Sequence, residues 1–274
     1  MRLLFLGDIV GRSGRTAVIA ELPKLRDRYK LDFVIANGEN AAGGFGITES
    51  IYQEFIDAGV DVVTTGNHVW DQREALVFIE RYDRLLRPVN YPEGTPGRGC
   101  GLFPAGNGQN VLVINAMGQV FMADLDSPFT ACDREVGACP LKESADVIFI
   151  DFHGEATSEK QAFAHYFDGR VSCVVGTHTH TPTADDHILP NGTGYISDVG
   201  MCGNYDSVLG MEKEESIHRF LTRVPRGRFQ AAAGEATLCG LAVEIDDETG
   251  LTKTLKGLRL GGLLSPSEPL FWVD

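Results

Sequence analysis

Short apolar runs that stop on a polar tip recur along this chain, with helical stretches between them. "RLLFLGD" ends on Asp8, "DFVIANGEN" on Glu39 and Asn40, and "VDVVTTGNH" on Asn67 and His68. Between the first two, residues 13–29 place Val18, Ile19, Leu22 and Leu25 at helical spacing, with Pro23 a candidate kink. Residues 48–58 follow the second run and read as a helix capped by Thr48. Strand, helix, strand, helix, strand is the order of a parallel α/β sheet.

The next stretch, 87–110, is rich in proline and glycine and reads as a long loop. "NVLVINAMG" is a fourth strand, and 118–140, carrying Asp124, Asp126 and Pro128, reads as an irregular excursion or lid. "ADVIFIDFHGE" is a fifth strand with His153 near its end. "ATSEKQAFAHYF" is a helix, and "VSCVVGTHTH" is a sixth strand ending on His178 and His180. After residue 186 come shorter segments, a helical 213–222 and an antiparallel hairpin turning at "DDETG". The antiparallel end implies a mixed sheet, or a second sheet packed on the first. The 274 residues suit one domain over 1–274, with the irregular excursion at about 87–140.

The polar tips are of one chemical type. In open α/β sheets, functional groups gather outside the carboxyl ends of the strands, so residues far apart in sequence meet in one crevice. Carboxylate, amide oxygen and imidazole together suit zinc, manganese or iron. In an extended segment, residues two apart point to the same side, so His178 and His180 can each serve one of two neighbouring ions. A glutamate between two cations can bridge them.

Composition narrows the partners. A formal charge of −14 and a pI near 4.9 disfavour sequence-independent binding to long nucleic acid, which needs a basic footprint. A small anionic substrate remains compatible, because bound cations reverse the local field. The six cysteines form no CxxC pair, which points to reduced thiols and a cytoplasmic location. No apolar run has the length of a signal peptide or a membrane span, so no membrane association is expected. Homo-oligomerisation is left open.

The motifs "GDIV", "GEN", "GNH", "FHG" and "GTHTH" resemble those of the calcineurin-like metallophosphoesterases. Val10 stands where the first motif usually has a histidine, and Glu39 where an aspartate usually bridges. Both departures, with "GDIVGRSGR", "IANGENAAGGFGIT", "TTGNHVWD" and "SDVGMCG", are similar to the YmdB-like branch over nearly the whole length. That resemblance implies a four-layer α/β/β/α sandwich of two mixed β-sheets. It implies a phosphodiesterase that opens 2',3'-cyclic nucleotides to 3'-monophosphates by metal-hydroxide attack, using two divalent or mixed-valence ions, iron or manganese. Carried over, Asp8, Glu39, Asn40 and His180 hold one ion, and Glu39, Asn67, His153 and His178 the other. Asn40 compensates for Val10, and His68 is the proton donor rather than a ligand.

Other features carry less. "GRSGR" opens a helix where backbone N–H groups and Arg12 or Arg15 can hold a phosphate, or where two arginines are simply solvated. Asp71 either orients His68 or caps a helix beginning near Gln72, the second being favoured. Asn90 and Tyr91, in the Pro/Gly-rich loop, are candidate nucleoside contacts. His165, His187 and His218 have no partner pattern and read as surface residues. Two rival functions use the same metal groups: a phosphomonoesterase or phosphoprotein phosphatase, and a regulatory metal-binding protein of low turnover.

Overall fold

The computed structural model describes residues 1–272. Its strands form two six-stranded mixed sheets. The first runs in the order Thr252–Leu260, Leu238–Ile245, Arg2–Leu6, Phe33–Asn37, Val62–Thr64, Leu85–Leu86. The second runs His187–Ile188, Gly194–Ile196, Cys173–Thr177, Val147–His153, Asn110–Met117, Cys100–Pro104. Within each sheet the strands that lead to polar tips are parallel. Their carboxyl ends therefore emerge together. A short parallel ladder, Asp8–Ile9 with Met201–Cys202, forms a separate pair at this end.

Each central strand serves two apolar cores, because successive side chains point to opposite faces. Leu3 and Phe5 join Phe33, Ile35, Val113, Phe149 and Val175 in a core shared by both sheets. Phe5 stacks on Phe149 there, with ring centroids 5.4 Å apart. Leu4 and Leu6 face the helices Gly11–Tyr29 and Glu49–Ala58 through Val18, Leu22, Leu25, Ile51 and Phe55. On the far side of the second sheet, Ile148, Ile150 and Val174 meet Ala131, Cys132, Phe163 and Ala164 from the helices Pro128–Ala138 and Thr157–Tyr166.

The local punctuation follows the residues. Thr48 Oγ1 accepts the Ile51 N–H at the start of its helix, and Gly59 ends that helix at φ 103°. Gly11–Tyr29 runs unbroken through Pro23. The final hairpin turns where Asp246 Oδ1 accepts the Glu248 and Thr249 N–H groups. Two expectations change inside 87–140. Cys100–Pro104 is an edge strand, a position that tolerates Pro104. Residues 128–138 form a helix started by Pro128, in the stretch read as irregular.

Candidate metal centre

Asp8, Glu39, Asn40, Asn67, His153, His178 and His180 meet at the carboxyl ends of five strands, and His68 stands beside them. The ligand atoms of Glu39, His153 and His178 lie within 4.8 Å of one another, as do those of Asp8, Glu39 and His180. Glu39 belongs to both groups. His153 Nε2 is 2.9 Å from Asn67 Oδ1, 3.1 Å from Glu39 Oε1 and 3.1 Å from His178 Nδ1. His180 Nε2 is 3.2 Å from Asn40 Oδ1 and 3.9 Å from Asp8 Oδ1.

The hydrogen bonds around these atoms fix which ends carry lone pairs. His180 Nδ1 lies 2.9 Å from the Leu209 carbonyl, which can only accept, so that nitrogen carries the proton. In the neutral ring, Nε2 is then an acceptor. Asn40 donates its amide to the Gly44 carbonyl, which turns its oxygen toward that same Nε2. Two acceptors thus face each other. Asp8 Oδ1 is buried with no hydrogen-bond partner. Gly66 passes so close that a Cβ there would collide with Glu39 Oε2 and the His153 ring. Orphaned oxygen, opposed acceptors and a backbone stripped of its side chain fit a cation held among these residues.

The electrostatics agree. Burial pushes the His153 imidazole down, but the carboxylates of Glu39, Asp8 and Asp151 outweigh it and raise it to about 9. Burial pushes Glu39 up, and His153 and His68 overcome that to pull it down to about 2. Burial and the neighbouring His153 hold His178 near 3, so it stays neutral. Burial also raises Asp8, against the pull of His180 and His153. The cluster calls for positive charge, which the His153 imidazolium supplies when no cation is bound, and it keeps the His178 lone pairs available.

His178 and His180 do not reach these positions along an extended strand. Their φ angles are 100° and 64°, in the left-handed region that non-glycine residues seldom occupy. That overturns the expectation of two side chains on one face of a strand; a strained turn sends each to its own group. A clamp holds the turn. Lys160 is buried and donates to the Thr177 carbonyl at 2.8 Å and to Asp198 Oδ2 at 2.9 Å. Asp198 Oδ2 also accepts the Thr179 N–H and hydroxyl, while Oδ1 accepts the Gly200 N–H. Sequence reasoning passed over both residues. The signal was a lysine on the buried face of "ATSEKQAF" and the aspartate of "SDVG".

His68 belongs to neither of these donor groups; its backbone N–H donates to Glu39 Oε2 at 3.2 Å. Its Nδ1 lies 2.8 Å from Asp71 Oδ2, and Phe45 packs its ring edge-on at 5.1 Å. Asp71 therefore orients His68, and the favoured helix-cap reading is corrected: the next helix starts only at Ala75. Val10 is buried and apolar, as the missing histidine requires.

The remaining candidates lie elsewhere. Arg12 is exposed and lines a separate cavity of about 1100 Å³ beside the first helix. Arg15 donates to the Ala41 carbonyl at 3.1 Å and braces the Glu39–Asn40 loop. Asn90 is buried, with its amide donating to the Met117 and Asp126 carbonyls and its oxygen accepting the Met117 N–H. It clamps the loop with both amide donors committed.

A family profile for YmdB-like proteins matches residues 4–258. A 2',3'-cyclic-nucleotide 2'-phosphodiesterase of Bacillus subtilis is 51% identical over 249 residues, covering 91% of this chain and 93% of that protein. Two crystal structures are similar throughout. A hypothetical protein of Thermus thermophilus is 44% identical with a TM-score of 0.88, covering 96% of this chain and 100% of its own. A phosphatase of Mycoplasma pneumoniae, described as novel, is 33% identical with a TM-score of 0.87, covering 100% and 96%.

The clamp generates a stability prediction. Lys160→Ala leaves Asp198 as a buried charge without its cation, which costs about 3–5 kcal/mol. Urea denaturation of the two proteins should show that loss as a lower midpoint; an unchanged midpoint contradicts the clamp.

Proposed function

The chain belongs to the YmdB-like family of metallophosphoesterase-type hydrolases, and from that premise we propose that it opens 2',3'-cyclic nucleotides to 3'-monophosphates at a two-metal site. The observation that carries this reading is the pair of donor groups that share Glu39. Asp8, Glu39, Asn40 and His180 would hold one ion, and Glu39, Asn67, His153 and His178 the other, iron or manganese. Such a pair lowers the pKa of water and offsets the charge that develops on a phosphate.

The chain's own residues supply the rest. Leu209 fixes the tautomer of His180. Asp71 holds Nδ1 of His68, which leaves Nε2 for the leaving oxygen. In the reaction a water oxygen bonds to phosphorus, giving up one proton to solvent, and the bond to the 2' oxygen breaks. The proton on His68 passes to that oxygen, and the phosphate remains on the 3' oxygen. A strained cyclic phosphate presents its leaving oxygen on a fixed side, where one placed acid can serve it. The three apolar clusters support a four-layer α/β/β/α sandwich formed as one domain over 1–274. Six free thiols support a reducing, cytoplasmic setting, and no helix among the described residues is long and apolar enough to cross a membrane.

Chromatography of the products from 2',3'-cyclic AMP tests the activity directly. The 3'-monophosphate should accumulate, and a 2'-monophosphate overturns the bond assignment. Structured RNA at equal phosphate concentration should be cut more slowly, given the acidic chain. A second reading, a phosphomonoesterase at the same site, is favoured by the description of the Mycoplasma relative. It predicts that the 3'-monophosphate is consumed in turn.

Metal content checks the shared carboxylate. Protein reconstituted with excess iron or manganese should hold two ions per chain by mass spectrometry, and Glu39→Gln should lose at least one. A wild type that holds one ion or none rules the two-metal site out.

The acid is separable from the ligands. His68→Ala should keep its metal and lose about 10²–10⁴-fold in turnover, with a smaller loss on a nitrophenyl ester, whose leaving group needs no proton. Asp71→Asn should show the same substrate dependence more weakly. Loss of metal from His68→Ala equal to that from His178→Ala would show the role to be misassigned.

A further inference from the structure

We propose that the apolar wall beside these catalytic groups is a nucleobase site, with Phe220 the residue on which the base stacks. The inference rests on the cyclic-nucleotide reading and names how that substrate is held. One cavity of about 720 Å³ is lined by His68, His178 and His180 together with Ser216, Arg219 and Phe220 of the helix Lys213–Thr222. That volume falls within the roughly 300–1,000 Å³ of small-molecule sites, so it admits a ribose and a base beyond the phosphate.

The wall is physically joined to the catalytic groups. Leu209, which lines it, accepts the Nδ1 proton of His180. Phe45, which also lines it, packs against the ring of His68. Phe220 is 71% exposed, although it lines the same cavity. An exposed aromatic ring is ordinary on a surface, but here it faces a space whose other side is polar and catalytic.

Arg219 on this helix and Arg223, its C-cap, differ in a telling way. Arg219 is engaged: it bonds Glu215 at 2.7 Å and lies over the Phe229 ring at 3.9 Å. Arg223 lies three residues after Phe220 and lines the cavity, and its guanidinium makes no hydrogen bond or ion pair among the described residues. A phenyl face and a planar cation both hold a base by its π-surface. Stacking does not read the base edge, so purine and pyrimidine nucleotides should both be accepted, the purine better through its larger face.

The test compares 2',3'-cyclic AMP with the base-less 1-O-methylribose 2',3'-cyclic phosphate, using the metal-loaded enzyme. Phe220→Ala should lower the ratio of kcat/KM for the nucleotide to kcat/KM for the base-less ester by roughly 5- to 150-fold. The change should fall mainly in KM, and Phe220→Trp should restore the ratio. An unchanged ratio overturns the base site, whatever happens to absolute rates. Calorimetric binding of 3'-AMP to the same proteins reads base capture without turnover. Weaker binding to Phe220→Ala than to wild type upholds the base site even if 2',3'-cyclic AMP is not hydrolysed. Equal binding counts against it even if the hydrolysis is confirmed.

Discussion

Lone pairs face lone pairs at the carboxyl ends of the two sheets, and the rest of the site is arranged to keep them there. Asn40 Oδ1 and His180 Nε2 confront each other because the opposite end of each side chain is already committed to a carbonyl. Asp8 Oδ1 accepts no hydrogen bond among the described residues. Buried acceptors of this kind are costly alone and become useful around a cation. The two sheets supply the stability that lets the cluster persist, since each strand leading to it is anchored in two cores at once. Broken local rules gathered in one place are the mark of a functional region.

The left-handed turn at His178 and His180 is the sharpest of these. Backbone strain of that kind persists only where its surroundings over-determine it. Here they do, through Asp198 and Lys160 on one side and the Asp8 carboxylate on the backbone N–H of His178 on the other. The buried ion pair is therefore tied to the placing of two imidazoles more than to the net strength of the fold.

Much of this was legible in the residues. The strand ends that carry Asp8, Glu39, Asn67, His153 and His178 could be read because each follows a short apolar run closed by a polar tip. The hairpin at "DDETG" and the Thr48 cap were equally plain, being set by local chemistry. What escaped had no local signature. The helix 128–138 holds Thr130, Asp133 and Gly137, poor helix formers, and exists through the packing of Ala131, Cys132 and Val136. Arg12, Arg15 and Asn90 were candidates by residue type and neighbourhood, and only tertiary structure decides where such side chains point. The turn geometry of "GTHTH" depends on an aspartate some twenty residues away, beyond the reach of any period-two argument.

The position of the first strand bears on how the chain is made. Arg2–Leu6 lies between Phe33–Asn37 and Leu238–Ile245, and the Met1 amine reaches the Ile245 carbonyl across 244 residues. Its partner on one side is made some 230 residues later. At about 5–20 residues per second, an apolar edge spanning Leu3 to Leu6 waits on the order of ten seconds or more for that partner. Throughout that interval the nascent chain presents an open sheet edge, the kind of surface that pairs with other chains. The carboxylates of Asp8 and Glu39 are likewise made long before the imidazoles of His178 and His180. A metal could meet the full set only after His180 is made, and holding nascent chains apart until the sheet closes is a task this topology hands to the cell.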